Sequence, residues 1–489
     1  MWAFVYAFVL LFLLSPDSYI RDLYGRWDSA CFFMSGKAWM NGLVPYVDFA
    51  DSKGPLLWLI YGIGYLLNHY SYVGVFWLSV LWYTATLFIA YKLCRLFTGK
   101  EVAAVSVAAM PLLMFYTMWH FEIRAEDFCY PFIMFSLYAC CRVLRDRESD
   151  RKTYLRLSAA MGACCMCCVL IKYSVGAMVG SLMLVVLYMA ARHGAGRQSF
   201  LGMVVGFVVP AVPFIVCFLI YGNLGAFVQE YFLNTFVTIA NKTEGKKLGV
   251  GFLFTWEYVL ILLLGVLLFS RRYKIGYWIA ACFVFFKFCM GVRLSIHYMQ
   301  PALLFSLFFI VAVVDFVFEK APVLKRYATT LCILAVAVVI GRNWHCRQPS
   351  YEKRASQRQE WYRAECLMAQ IEKPKVMYSG VGNGCGLLAG SLPACRYWIG
   401  QTGKTEDMVE ARKKALREQR ADFVILNIMY DEGDVQFVED CGYVFYLEDV
   451  GGKPDKPVLV YGKPGLKMPE EDVEISQWDV WLKRNPLRK

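Results

Sequence analysis

The sequence predicts a polytopic α-helical membrane protein with about eleven transmembrane helices and a C-terminal α/β domain outside the membrane. Three observations predict it. The chain of 489 residues is 58% hydrophobic and only 18% charged, whereas a soluble domain carries about 25% charged residues. Apolar runs of about 17–22 residues, long enough to cross a hydrocarbon core, recur from the N-terminus to around residue 342. Beyond that point the polarity becomes ordinary, which divides the chain into a membrane domain, 1–342, and a soluble domain, 343–489.

Residues 1–15 carry neither a basic n-region nor a small-residue cleavage site, so they read as a first transmembrane helix rather than a signal peptide. A polar first loop, 16–73, follows. Further apolar runs lie at 74–91, 102–118, 128–141, 156–171, 175–191, 200–221, 251–270, 275–291, 298–318 and 328–342. Strongly basic loops fall at 142–156, 192–197, 270–274 and 320–326, and short basic loops stay in the cytoplasm. Counting runs between them places 92–100 inside, 120–127 outside and the C-terminal domain outside. The stretch 55–72 breaks this count if it spans. Its Gly54-Pro55, Gly62, Gly64 and aromatic residues fit a juxtamembrane helix along the outer interface, which leaves the N-terminus inside.

The formal net charge of +12 does not indicate nucleic acid, because much of the basic excess lies in these loops. Most of the 18 cysteines sit within apolar runs, where a free Cys packs as a small hydrophobe. The Cys164-Cys-Met-Cys-Cys168 run reads the same way. In the C-terminal part, 352–365 reads as a charged linker helix, and 376–379, 423–426, 443–447 and 457–461 as strands. A helix over 405–420 places Met408, Ala411, Ala415 and Leu416 on one face. Cys385 and Cys395 are candidates for a disulfide in an oxidising compartment. Asn241-Lys-Thr243 matches a glycosylation sequon, a weak pattern.

The counting of runs brings Asp28, Asp51, Lys53, His120, Glu122, Arg124, Glu126, Lys172, Arg293 and His297 to one membrane face. Ionisable groups there are costly unless used or paired. Asp28 follows Trp27 in the first loop and is either a functional acid or the cap of a helix beginning at Ser29 or Ala30. Asp48, Asp51 and Lys53 lie in Pro45-Tyr-Val-Asp-Phe-Ala-Asp-Ser-Lys-Gly-Pro, where Lys53 can meet an anion with Asp51 orienting it or helping to bind a cation, or an Asp–Lys pair ties a local turn. In His120-Phe-Glu-Ile-Arg-Ala-Glu-Asp127, Arg124 can grip an anion bidentately, and Glu122 or Glu126 can accept hydrogen bonds from a ligand; the alternative is an ion-paired helix cap. Lys172 ends an apolar run, either snorkelling to headgroups or meeting a phosphate. Arg293 and His297 read as a site wall or an interfacial anchor.

An Asp in the first outer loop followed by Tyr46-x-Asp48-x-x-Asp51-x-Lys53-Gly54-Pro55 resembles the GT-C superfamily of membrane glycosyltransferases, of the bacterial family 39/83 kind. These enzymes take sugar from a polyprenyl-phosphate carrier. The resemblance covers roughly 1–342 and is specific at 24–57; one departure is Asp28-Ser29, where several GT-C families carry Asp-Glu. It implies that Asp28 is the catalytic base. With it, Lys53, Arg124, Lys172 and Arg293 become donor-phosphate ligands, and Asp48, Asp51, His120, Glu122, Glu126 and His297 sugar- or acceptor-binding or orienting groups. No cofactor is identified with certainty, and a divalent cation near Asp51 is left open.

The resulting expectation is an inverting glycosyltransferase at the outer face of a bacterial cytoplasmic membrane. It moves a sugar from a polyprenyl-phosphate carrier to a glycan, lipid or protein acceptor, with membrane lipid around it and no nucleic acid. No Walker A sequence and no dinucleotide loop is visible, which favours a lipid-linked donor over a nucleotide sugar. A transporter or flippase of lipid-linked saccharides is the alternative of a different class, but it calls for midplane charges and repeated halves. A non-catalytic surface-assembly protein is a third reading. It would separate Asp28 and Lys53 from Arg124 and Lys172.

Overall fold

The computed structural model describes residues 1–15, 18, 27–69, 71–114, 124–146, 150–234, 251–289, 296–345, 363–365, 367–379, 390–399, 405–426, 432–453 and 456–467. Each apolar run read from the sequence holds a helix. The first are α1 (Trp2–Leu14), α2 (Trp27–Met40), α3 (Pro55–Leu67), α4 (Val73–Arg95), α5 (Lys100–Met114), α6 (Tyr130–Arg145), α7 (Arg151–Arg192) and α8 (Gly196–Ile220). Helices Gly251–Tyr273, Trp278–Cys289, Ser306–Lys320 and Ala328–His345 follow. Among the described residues six stretches are long and apolar enough to cross a membrane: Val73–Arg95, Asp127–Arg145, Arg151–Arg192, Gly196–Ile220, Gln300–Lys320 and Pro322–Gly341.

The longest of these is two spans folded into a hairpin. Lys172 interrupts α7 with φ −155° and ψ 101°. The chain then doubles back, so that Tyr154 Oη lies 2.7 Å from His193 Nδ1 at the two ends of the stretch. Each arm of about 20 residues is about 30 Å long, matching the hydrocarbon thickness. The first arm lies against α8 with backbones nearly touching, since a Cβ on Gly206 would stand 1.8 Å from the Ala159 carbonyl oxygen. Ser158 and Ser199 share a 2.7 Å hydrogen bond across the same seam. On the far side of α8, Val205, Val209, Val216 and Leu219 are exposed, an apolar face suited to lipid. Cys164, Cys165 and Cys168 are buried free thiols between packed helices, as the small-residue reading expects.

The basic loops gather at one end of the bundle. Arg145 donates to the Leu96 carbonyl, and the Phe97 and Tyr273 rings are 5.1 Å apart. Arg272 pairs with Asp315 and Glu319, each at 2.6 Å. The hairpin turn at Lys172 lies at the opposite end, where the first loop packs. Here α3 starts from Gly54 with Pro at its first position, which the missing proline N–H permits. At 13 residues it is about 20 Å long, as is α1, and both fall short of the hydrocarbon thickness. α3 ends at Leu67, earlier than the expected residue 72, and buries Trp58 and Tyr61. Phe32 of α2 meets Tyr61 edge-on at 5.6 Å.

The C-terminal sheet has strands β1 (Lys375–Tyr378), β2 (Leu392–Pro393), β3 (Phe423–Leu426), β4 (Val444–Lys453) and β5 (Lys456–Gly462), in the order β2-β1-β3-β5-β4. β1 is parallel to β2 and β3, while β5 is antiparallel to β3 and β4. β2 was not legible in the sequence, and β4 runs beyond the expected residue 447. Helix Glu406–Arg417 starts at Thr405, whose hydroxyl accepts the Met408 N–H. Its inward face holds Met408, Ala415 and Leu416 as expected, but Ala411 is exposed. Arg412 turns inward instead, because its guanidinium finds two backbone acceptors, the carbonyls of Tyr397 at 2.5 Å and Tyr378 at 2.6 Å. Cys395 is a free thiol, while Cys385, the sequon at 241–243 and most of the 352–365 linker lie outside the described residues.

Candidate active site

Tyr46 organises the first loop. Its ring is fully buried among Trp58 at 4.7 Å, Phe227 at 5.2 Å and Phe218 at 5.8 Å. Its hydroxyl donates to the Lys53 carbonyl at 3.1 Å, and its N–H to the Phe49 carbonyl at 2.7 Å. Asp48 accepts the Val44 N–H at 2.7 Å on the loop's exposed side, so its carboxylate folds the loop. Asp51 Oδ1 accepts from the Ser52 N–H at 2.6 Å. At the far end of the loop, Asn223 donates to the Pro45 carbonyl at 2.7 Å. The Tyr-x-Asp spacing of the sequence is therefore partly a scaffold, which leaves Asp51 and Lys53 as the presented groups.

Gly54 brings that loop onto the hairpin turn. Its N–H donates to the Ile171 carbonyl at 3.0 Å, a bond that the break at Lys172 frees from the helical ladder. The approach is possible only without a side chain: a Cβ on Gly54 would lie 2.0 Å from the Leu170 carbonyl oxygen. The break is spliced by Tyr231, from the π-helical turn Val228–Leu233, whose hydroxyl donates to the Val169 carbonyl and accepts the Tyr173 N–H at 3.0 Å. Lys53 and Lys172 thus flank one backbone contact.

The Lys172 ammonium is buried and paired with Glu126. Glu126 stands just before the short 3-10 turn Asp127–Cys129 that leads into α6. Asp127 fixes this corner, accepting the Arg124 N–H at 2.7 Å and the Tyr83 hydroxyl at 2.9 Å. Arg124, half-buried, is therefore two residues from the partner of Lys172. Asp28 lies in the first turn of α2, which begins at Trp27 rather than at Ser29 or Ala30. One turn on, Phe32 carries the Lys53 ammonium over its ring, 5.4 Å from the centroid. Positions four apart share a helix face, so the half-buried Asp28 and Lys53 are on the same side of α2.

The structure thus pairs Lys172 with Glu126 and sets the backbone beside Lys53 against the same hairpin turn, with Arg124 two residues from Glu126, Asp51 two residues before Lys53, and Asp28 one helical turn from the ring under the Lys53 ammonium, a proximity that the surface-assembly reading does not expect. Asp48 belongs to the loop's outer turn. His120, Glu122 and Arg293 lie outside the described residues, and His297 is placed by its backbone in the 3-10 helix Ile296–Phe305. Among the described residues, no group of three or more His, Cys, Asp and Glu side chains is arranged to hold a metal. Tyr231, Asn223 and Glu230 escaped the sequence reading. Nothing in the polarity of 223–231 marks it, although the pattern of aromatic residues at 227, 231 and 232 is visible once a partner is known.

Chemically, the arrangement is a buried Lys172–Glu126 pair at a helix break, with Lys53 one residue from the backbone contact to that turn, at one end of an apolar bundle. It suits an anionic headgroup whose tail remains in lipid.

Residues 52–221 match the family model of dolichyl-phosphate-mannose-protein mannosyltransferase, which includes Lys53, Arg124 and Lys172. The structure of ArnT from Cupriavidus metallidurans bound to undecaprenyl phosphate superposes with a TM-score of 0.59 at 14% identity, covering 96% of this chain and 98% of that one. Its apo form gives 0.57 at 14% identity, covering 94% and 96%. No curated protein matches the chain by sequence.

Proposed function

Starting from a multi-pass membrane protein of GT-C fold, we propose that the chain is an inverting glycosyltransferase that uses a polyprenyl-phosphate-linked sugar. The observation that carries this reading is the Gly54–Ile171 contact, which sets Lys53 beside Lys172 at the hairpin turn. In the proposed reaction the carrier phosphate sits against Lys53, Arg124 and Lys172, with Arg293 as a fourth ligand. Asp28 takes the proton from an acceptor hydroxyl. The acceptor oxygen bonds to the anomeric carbon as the bond to the carrier oxygen breaks, and polyprenyl phosphate leaves carrying the electron pair. The cations stabilise that departing charge in a setting where water is scarce, so each counts for more than in solution. Asp51 and Glu126 orient the lysines or meet sugar hydroxyls.

The likeness to ArnT and the family model supports the carrier class. The acceptor, a glycan, lipid or protein, is proposed to approach from the outer face of a bacterial cytoplasmic membrane, because the basic loops cluster at the end remote from Lys172. Ionisable groups gathered at one end, rather than on broken helices at mid-membrane, disfavour the transporter alternative. The test is a transfer assay in purified membranes, with a panel of radiolabelled undecaprenyl-phosphate-linked hexoses and pentoses. Release of undecaprenyl phosphate that depends on the protein supports the reading. If the protein neither binds undecaprenyl phosphate nor consumes any donor of the panel, the reading fails.

A further inference from the structure

We propose that the segment 392–399 of the sheet domain is a clamp that sets the position of the carrier-binding loop, with Arg396 and Tyr397 as its positioning residues. The proposal rests on the function argued above, because it gives the soluble domain a role in that same site.

Arg396 holds the loop from both sides of one turn. Its carbonyl accepts the Ala50 N–H at 2.8 Å, and its Nε donates to the Val47 carbonyl at 3.1 Å. Asp48 and Phe49 lie between those two contacts, and Asp51 and Lys53 follow directly. The guanidinium then reaches Glu230 at 3.2 Å, and Tyr397 donates its hydroxyl to the same carboxylate oxygen at 2.7 Å. Glu230 is buried, and its other oxygen accepts from Asn234 at 3.0 Å. Its neighbour Tyr231 is the residue that splices the break at Lys172. One carboxylate therefore ties the clamp to the turn that shapes the phosphate site.

The clamp is itself anchored in the sheet. Arg412, from the helix behind it, donates to the Tyr397 and Tyr378 carbonyls. The Tyr378 N–H donates to the Trp398 carbonyl at 2.7 Å. A path of hydrogen bonds thus runs from the rigid strand β1 to the loop that presents Lys53. Its links commit a guanidinium to a backbone acceptor of the loop and to buried Glu230, where apolar packing would suffice merely to attach a domain. A planar fork with several donors fixes direction as well as distance, which a lysine cannot reproduce. Loop displacements of about 1 Å near reacting groups cost on the order of 100-fold in rate.

The test uses the full-length protein in nanodiscs, with undecaprenyl phosphate as the probe. Hydrogen–deuterium exchange is read first, without ligand. Arg396→Ala keeps the carbonyl that takes the Ala50 N–H but removes the Val47 and Glu230 bonds that hold it in place, and is expected to speed exchange in the peptide holding Ala50 by about tenfold or more, with the transmembrane peptides unchanged. In the same variant the Kd for undecaprenyl phosphate rises by about tenfold, Arg396→Lys recovers only part of the loss, and the melting temperature stays close to wild type. Glu230→Gln, which keeps the side chain's shape, is expected to act in the same direction and serves if Arg396→Ala does not fold. Unchanged loop exchange in both variants overturns the clamp. Faster exchange with an unchanged Kd overturns its role in carrier binding. A wild-type protein that does not bind undecaprenyl phosphate refutes the proposed function instead, and the exchange result then still decides whether the clamp exists.

Discussion

Gly54→Ala is the substitution whose consequence follows most plainly from the close packing at the hairpin turn. An added methyl would lie 2.0 Å from the Leu170 carbonyl oxygen, 2.4 Å from its carbon and 2.9 Å from the Tyr231 hydroxyl. Two of these three obstacles are backbone atoms of the hairpin turn, which a rotamer change cannot relieve. Ordinary contact needs about 3.5 Å, so the loop must retreat by about 1.5 Å. That retreat stretches the 3.0 Å bond from the Gly54 N–H to the Ile171 carbonyl beyond usefulness. Overpacking costs about 1–3 kcal/mol, and the lost bond about 0.5–1.5 kcal/mol more. The structural penalty is therefore moderate in a protein of this size. The functional penalty is large, because Lys53 moves with Gly54 while Lys172 does not, and misplacement of about 1 Å costs on the order of 100-fold. Paired measurements separate the two effects: a thermal melt in detergent, and donor turnover in membranes. A variant that melts a few degrees lower and loses about 100-fold or more in turnover fits the account. Wild-type turnover in Gly54→Ala would refute the idea that the spacing of Lys53 and Lys172 matters.

Three further outcomes are expected. Asp28→Asn should lower transfer by about 10²–10⁴-fold while folding and undecaprenyl phosphate binding survive; full activity would remove Asp28 as the base. Glu126→Gln leaves the buried Lys172 ammonium without its carboxylate, and breaking such a pair costs about 3–5 kcal/mol, read as a lowered unfolding midpoint in detergent. An unchanged midpoint would show that Glu126 is not the stabilising counter-charge. Lys37 of α2 is buried, and loss of solvation lowers its pKa to about 7, with Glu365 acting in the opposite direction. The unfolded chain keeps that proton up to about pH 10. Between about pH 7 and 10 the folded state therefore binds fewer protons, and stability rises with pH. This rise should vanish in Lys37→Met; if it persists there, another group carries the linkage.

Much of the membrane architecture could be read from hydropathy and charge. The helices coincide with the apolar runs because their side chains face lipid or one another, and no loop can cross hydrocarbon unpaired. Charge placed the basic loops on one side, and they do lie at one end of the bundle; counting runs put Lys53, Glu126 and Lys172 at the other face, where Lys172 pairs with Glu126 and the backbone next to Lys53 meets the hairpin turn. The connections that shape the site were hidden for a physical reason. Arg396 and Val47 are 349 residues apart and join through a backbone carbonyl, an acceptor that every residue owns and no sequence pattern marks. The splice by Tyr231 is of the same kind. Arg412 misled the helical-face reading because amphipathic patterning counts an arginine as outward, while here two carbonyls hold it inside. Both roles of the Tyr46–Pro55 motif were open in the sequence, but spacing alone does not separate the Tyr46, Asp48 and Gly54 that build the loop from Asp51 and Lys53.

In the proposed mechanism one carrier phosphate is held where the first loop meets the hairpin turn. A structure of the protein with undecaprenyl phosphate, in nanodiscs, decides this. The phosphate is expected within hydrogen-bond distance of at least two of Lys53, Arg124, Lys172 and Arg293, with Asp28 facing it and the prenyl tail leaving towards lipid. A phosphate bound elsewhere, with Lys53 and Lys172 both beyond its reach, would contradict that mechanism.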